Sequence, residues 1–136
     1  MEISVYKDSD EREVAQLWLT VFSDAPVWNK PSEDIKRKLE IQRELFYVAK
    51  IEGKVVGTAM AGYDGHRGWV YYVATLPEYR RQGIGKALMD TVEKGLSKIG
   101  CPKLNLQVRS GNYEAVEFYR RLGYDIEDRV SMAKRL

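Results

Sequence analysis

A chain of 136 residues with 44% hydrophobic and 31% charged residues has the size and composition of one folded domain, expected to span residues 1–136, and disorder is excluded. A net charge of +2 is too small to argue for nucleic acid without a clustered basic face, and no apolar run approaches the ~20 residues of a membrane span. One cysteine, Cys101, precludes an internal disulfide framework, and one histidine, His66, leaves too few ligands for zinc. No metal, nucleic acid or membrane is therefore expected, and Met1-Glu2-Ile3, which opens directly into strand-like sequence, points to a cytoplasmic protein.

Residues 2–6 alternate at period two and predict a first strand. Asp8 or Ser9 can cap a helix whose stripe is Val14, Leu17, Trp18, Val21 and Phe22. Pro26 and Pro31 then fall in a loop of about nine residues, longer than a structural connection needs. Its Trp28 reads equally as a core plug or as a lid over an acceptor pocket, with Asn29 beside it. Ser32 opens a second helix with Ile35 and Leu39 inward, acidic at Glu33 and Asp34 and basic through Lys36, Arg37 and Lys38, a solvated face. Residues 45–51 and 55–63 predict strands joined by a hairpin at Glu52-Gly53-Lys54, and the turn Asp64-Gly65-His66-Arg67-Gly68 leads into the next strand.

The most informative stretch follows. Residues 69–76 are apolar on both parities, a strand buried on both faces, and Pro77 ends it. After Arg80-Arg81-Gln82-Gly83-Ile84-Gly85, the residues Ile84, Ala87, Leu88, Val92 and Leu96 recur at three and four, the stripe of an amphipathic helix. The free first-turn amides and dipole of such a helix attract an anion; Gly83 and Gly85 allow close backbone approach, while Arg80, Arg81 and Lys86 supply positive charge. A Walker A loop needs Gly-Lys-Ser/Thr, absent here, and a dinucleotide fingerprint needs a small residue where Leu88 stands and an acid where Asn105 and Gln107 lie.

Gly100 and Pro102 punctuate the chain, Cys101 between them reading as a small buried hydrophobe. Residues 104–108 predict a strand parallel to the 69–76 strand, because a crossover helix joins the two. Asn112 opens a helix with Ala115, Val116, Phe118, Tyr119 and Leu122, closed by Gly123, and residues 124–127 and 129–133 predict a last hairpin around Asp128.

Arg80-x-x-Gly83-x-Gly85 after a strand and a proline resembles the acetyl-coenzyme A segment of the GNAT superfamily of N-acetyltransferases. The second segment, Asn112 with Tyr119 seven residues later and then Gly123-Tyr124, is similar to the pattern those domains carry after their fifth strand. The resemblance implies an α/β (α+β) three-layer fold, a mixed, mostly antiparallel sheet of about seven strands flanked by four helices. It implies acetyl-coenzyme A as co-substrate, a small-molecule or peptide amine as acceptor, and is compatible with a homodimer. By the same resemblance Val73, Ala74 and Thr75 pair with the pantetheine arm, Arg80, Arg81, Gln82, Gly83, Ile84, Gly85 and Lys86 hold the pyrophosphate, Asn112 touches the cofactor, and Tyr119 protonates the leaving thiolate.

Acetylation requires a neutral amine, a donor for the thioester oxygen and a proton for the departing sulfur. In the ribosomal-protein N-terminal alanine acetyltransferases, which this segment partly resembles, a glutamate precedes the asparagine by five residues; here Gln107 stands there and cannot accept the proton. Asp64, His66, Tyr72 and Glu44 are the alternative bases, and Trp28, Asn29, Asp64, His66, Tyr72 and Gln107 the candidate acceptor-binding residues. Direct transfer in a ternary complex is expected, since Cys101 lacks a nearby base for a covalent route; a coenzyme-binding module without catalysis is the alternative.

Overall fold

In the computed structural model, which describes residues 1–26 and 30–136, the alternating N-terminal residues form β1 (Glu2–Val5) and a single 3-10 turn at Asp8–Asp10 leads into α1 (Glu11–Val21). Trp28 and Asn29 lie outside the described residues. The expected cap at Asp8 or Ser9 gives way to this turn, whose Asp10 carboxylate accepts from the Lys7 backbone at 2.9 Å and pairs with Lys50 at 2.8 Å. The second helix, α2 (Pro31–Leu39), starts one residue before Ser32, with proline at its first position, where a missing N–H costs nothing.

Strands β2 (Phe46–Ile51) and β3 (Lys54–Tyr63) form the expected hairpin, with Glu52 and Gly53 both at positive φ, the geometry a two-residue turn demands. They continue into β4 (Gly68–Thr75), α3 (Ile84–Lys98), β5 (Leu104–Asn105) and α4 (Tyr113–Arg121). The chain forms two compact units, Met1–Leu106 with the whole sheet and Gln107–Leu136 with α4.

The sheet runs in the order β1-β2-β3-β4-β5, antiparallel except for the parallel β4–β5 pair. It is therefore α+β, mixed and mostly antiparallel with four α-helices, as expected, but with five strands among the described residues rather than about seven. Residues 124–133 carry no strand: Ile126, Val130 and Met132 are exposed, so no apolar face is buried to fix a register. β5 holds two residues, not five, and Tyr71 on β4 is 49% exposed, so that strand is not buried on both faces throughout.

Adjacent residues of β3 show how the layers are arranged. A Cβ on Gly57 would stand 3.0 Å from Ile84 Cγ2 and Leu88 Cδ1, so α3 lies directly on that face. The next residue, Thr58, points the opposite way and accepts from the Trp18 indole at 2.9 Å, which puts α1 on the other face. The α1 side holds a core of Val14, Leu17, Trp18, Ile35, Phe46 and Val48, all 1% exposed or less. Cys101 is only partly buried, its sulfur facing Gly68, where an added Cβ would come within 2.8 Å.

The register between β3 and β4 slips between Thr58 and Met60, and the residue that absorbs the slip is Tyr72, at φ 53. A left-handed tyrosine costs about 1–2 kcal/mol and needs compensation. Thr58 donates its hydroxyl to the Tyr72 carbonyl at 2.8 Å, and the Tyr72 ring stacks on Trp18 with centroids 3.7 Å apart. The phenol donates to Asp34 on α2 at 2.5 Å. Thr58→Val keeps the volume but orphans the Trp18 N–H and one Tyr72 carbonyl bond; the expected loss is about 2 kcal/mol, read as a lower urea midpoint at unchanged m-value.

Candidate active site

Past the bulge, β4 changes character. β5 pairs only with Gly68 and Trp69, while β3 holds Ala74 and Thr75 from the other side. On the β5 side the edge of β4 from Tyr71 to Thr75 therefore has no strand partner among the described residues, and it offers main-chain donors and acceptors to an extended ligand. Of the three residues expected there, Ala74 is 3% exposed and Val73 and Thr75 are half-buried.

β4 leads through a 3-10 turn at Pro77–Tyr79 to the start of α3. Arg81 at φ 65 and Gly83 at φ 79 reverse the chain, and space around Gly83 is open, so glycine is required there for its conformation. The first helical bond of α3 runs from the Ala87 N–H to the Gly83 carbonyl at 3.0 Å. The N–H groups of Ile84, Gly85 and Lys86 precede it and stand free for an anion. The Ile84 side chain itself is buried at 2% exposure, so it offers the amide alone. Arg80 Nε donates to the Thr75 carbonyl at 3.3 Å, Arg81 and Gln82 are exposed, and Lys86 pairs with Asp90 at 3.2 Å.

On the other side of the bulge a cavity of about 460 Å³ opens between α2 and the turn end of β3 and β4. Its walls include Asp34, Arg37 and Lys38 from α2, Met60 to Asp64 from β3 and the turn after it, and Trp69 and Tyr71 from β4. Gln42, at φ 53, exchanges two hydrogen bonds with the Tyr63 backbone, 2.8 and 3.1 Å, standing in for a strand where β2 has ended. Lys38 donates to the Ala61 carbonyl on the same edge, and burial pushes its pKa below the ordinary lysine value, opposed in part by Glu44.

Of the expected acceptor residues, Asp64 lines this cavity and His66 does not. Asp64 Oδ1 accepts from the backbone N–H groups of His66 and Arg67, both at 2.8 Å, and these bonds hold its carboxyl below the usual carboxylate range. Tyr72 is turned away into the stack on Trp18; burial and then the bond to Asp34 raise its pKa, so its phenol gives a proton rather than taking one. Glu44 is exposed outside the cavity wall.

In the second unit, Asn112 caps α4, its Oδ1 accepting from the Ala115 N–H at 3.2 Å. Gly123 ends the helix at φ 97, with its N–H on Arg120 and that of Tyr124 on Tyr119, at 2.9 and 3.0 Å. Tyr119 rests edge-on against Phe118 and Tyr124, and burial pushes its phenol up to about 12. Gln107 donates to Ser131 Oγ at 2.6 Å.

Residues 12–124 match the acetyltransferase (GNAT) family. The chain belongs to that family. An acetyltransferase of Yersinia enterocolitica is 45% identical over 136 residues, covering 100% of this chain and 96% of that one. Among solved structures, Ard1 from Thermoplasma volcanium aligns with a TM-score of 0.82 at 25% identity, covering 93% of this chain and 83% of that one. The ribosomal-protein-S18-alanine N-acetyltransferase of Escherichia coli aligns at 0.74 with 25% identity, over 90% and 76%. The aminoglycoside N-acetyltransferase AAC(6')-Iy in complex with coenzyme A shares the fold at 0.82 and 17% identity, over 98% and 93%. No helix among the described residues is long and apolar enough to cross a membrane.

Sequence reading of this GNAT chain missed Asp34, Lys38, Gly57 and Thr58. The signal for the first two was present: Asp34 and Lys38 are four apart on one side of an amphipathic helix. Nothing in the sequence around Gly57 and Thr58 marks a bulge.

The raised phenol of Tyr119 has a measurable sign. Between its ordinary value of 10.0 and about 12 the folded chain keeps a proton that the unfolded chain has lost. Stability is intact below that window and falls as pH rises through it. Tyr119→Phe removes this contribution, so the melting temperature of the variant should decline less steeply above pH ~10 than that of the wild type.

Proposed function

We propose that this GNAT acetyltransferase moves the acetyl group of acetyl-coenzyme A to a primary amine by direct attack in a ternary complex. One observation carries the reading: the unpartnered edge of β4 runs into a left-handed glycine turn that presents three free helix amides. The residues fit the co-substrate's chemistry in sequence along the chain. The backbones of Val73, Ala74 and Thr75 pair with the amides of the pantetheine arm. The N–H groups of Ile84, Gly85 and Lys86, with Arg80, Arg81, Gln82 and Gly83, cradle the pyrophosphate. Asn112 has its oxygen committed to capping α4, which leaves its NH₂ to donate.

The bound thioester supplies an activated acetyl group. The ammonium form of the acceptor loses one proton and the neutral nitrogen forms a bond to the carbonyl carbon. The carbon–sulfur bond breaks, the nitrogen gives up a second proton, and the thiolate gains one; the net products are an amide, coenzyme A thiol and one proton released. Tyr119 donates to the departing sulfur. Asp64, an ionised carboxylate on the cavity wall, draws the ammonium in, and water in the open cavity carries its proton away. Direct attack needs no enzyme nucleophile, consistent with a Cys101 that faces Gly68.

Calorimetry with coenzyme A and a coenzyme A release assay test the reading together. Gly85→Val adds a branched side chain at the second residue of α3, and coenzyme A affinity should fall by about tenfold or more with the fold intact by circular dichroism. Tyr119→Phe should retain coenzyme A binding and lose on the order of 10²-fold in turnover. Wild-type affinity in Gly85→Val would remove the cradle from the site.

A further inference from the structure

We propose that the cavity between α2 and the turn end of β3–β4 is the acceptor subsite, and that it selects a small amine carrying both a carboxylate and an apolar body, in the manner of a free amino acid. The inference rests on the acetyltransferase reading and adds the acceptor class to it.

Position comes first. Trp69 and Tyr71, two residues apart on β4, face the same way and contribute to the cavity wall. The next residue is the Tyr72 bulge, and beyond it lies the free edge assigned to pantetheine. An amine seated against Trp69 and Tyr71 thus approaches β4 from the side opposite the pyrophosphate cradle, at the point where the acetyl end of the thioester must lie. A volume of about 460 Å³ suits a molecule of amino-acid to dipeptide size.

Charge decides the class. Two cations, Arg37 and Lys38, and two carboxylates, Asp34 and Asp64, line the cavity and sum to zero. Asp34 is already satisfied, bonded to Arg37 at 2.6 Å and to the Tyr72 phenol at 2.5 Å. Lys38 and Asp64 are what remain. Lys38 spends one of its three N–H groups on the Ala61 carbonyl and has no carboxylate within ion-pair distance among the described residues. Its ammonium lies beside Gly62, where an added Cβ would stand 3.3 Å from Gln42 Oε1 and 3.5 Å from Lys38 Nζ, and Lys38 lines the cavity. A half-buried ammonium whose desolvation is only partly offset, by Glu44, gains from an anion placed beside it.

Asp64 offers the complementary group. Its Oδ1 is held by two backbone N–H groups, which orients the carboxylate and leaves Oδ2 for an ammonium. On the same cavity wall Trp69 and Tyr71 stack at 6.5 Å with their planes 12° apart, and Met60 and Ile41 add apolar surface. A polyamine or other polycation finds one available carboxylate and an opposing lysine and arginine. A zwitterion with an apolar side chain meets a partner at each end.

The test uses the full chain with acetyl-coenzyme A and matched pairs of amines that differ by one carboxylate: L-phenylalanine against 2-phenylethylamine, L-leucine against 3-methylbutylamine, with spermidine as the polycation. Coenzyme A release should give kcat/KM at least about tenfold higher for the amino acid in a responsive pair, and spermidine should be the slower substrate. In Lys38→Met that ratio should collapse towards one through a higher KM for the amino acid. Asp64→Asn, on an exposed turn, should lower kcat/KM for both members of the pair and leave their ratio in place. Should Lys38→Met fail to fold, the wild-type ratio and calorimetric titration of each amine into the coenzyme A-saturated protein decide alone. Equal or better binding or turnover of the decarboxylated amine or spermidine overturns the acceptor class while acetyl transfer stands; so does failure of every amino acid to bind or react at millimolar concentration. Absence of coenzyme A binding in the wild type would instead overturn the acetyltransferase reading, and the subsite with it.

Discussion

A single buried hydroxyl holds the centre of the molecule together. Thr58 receives the Trp18 indole proton and donates to the carbonyl of Tyr72, and so ties helix α1 to the one residue of β4 in a left-handed conformation. Without that pair of bonds the strained tyrosine has little reason to persist, because a regular β-strand would satisfy the same carbonyl at lower conformational cost. The aromatic stack on Trp18 and the bond to Asp34 add to the constraint from two further directions. The bulge is over-determined, as a strained feature must be to survive in a stable fold.

Its consequence is a division of β4 into two working halves. Before the bulge, Gly68 and Trp69 pair with β5 and Trp69 and Tyr71 face the cavity. After it, the strand keeps β3 but has no second partner among the described residues, and the chain leads on to α3. The position of α3 is set from the opposite face, where Gly57 admits Ile84 and Leu88 against the sheet. Neighbouring residues on β3 therefore seat helices on the two faces of the sheet, Gly57 admitting α3 and Thr58 bonding α1. This is an economy available only to a strand, whose successive side chains face opposite layers.

What the sequence disclosed follows the range of the physics involved. The change from strand to helix after Pro77, the glycine turn and the cap at Asn112 are local, written in neighbouring residues, and all were legible. Of the α2 cations expected on a solvated face, Lys36 and Arg37 are exposed and only Lys38 departs, because a run such as Lys36-Arg37-Lys38 does not announce that its last member will reach the Ala61 carbonyl on a strand twenty-three residues away. The bulge at Tyr72 was invisible for the same reason, since Thr58 and Trp18 enforce it from distant parts of the chain. The C-terminal hairpin was overcalled: alternation in residues 124–133 is a strand signal only where another surface buries one parity, and Ile126, Val130 and Met132 are exposed.

The raised phenol of Tyr119 refines the role proposed for it. Burial raises the Tyr119 phenol to about 12, against a free thiol near 8.5, so complete transfer of the phenolic proton to the thiolate crosses an uphill gap. That is too large for Tyr119 to act as a simple proton reservoir. A hydrogen bond from a neutral phenol to developing negative charge on sulfur carries no such penalty, and burial strengthens it by excluding competing water. In the proposed mechanism Tyr119 is therefore a hydrogen-bond donor to the departing sulfur, and the proton balance closes through the amine, whose nitrogen becomes strongly acidic once bonded to the acyl carbon. The absence of a glutamate at Gln107 is then less of an obstacle. On that proposal the first proton leaves to water through the open cavity, the second goes to the thiolate, and the enzyme's own task is to hold the amine, the carbonyl and the sulfur in line.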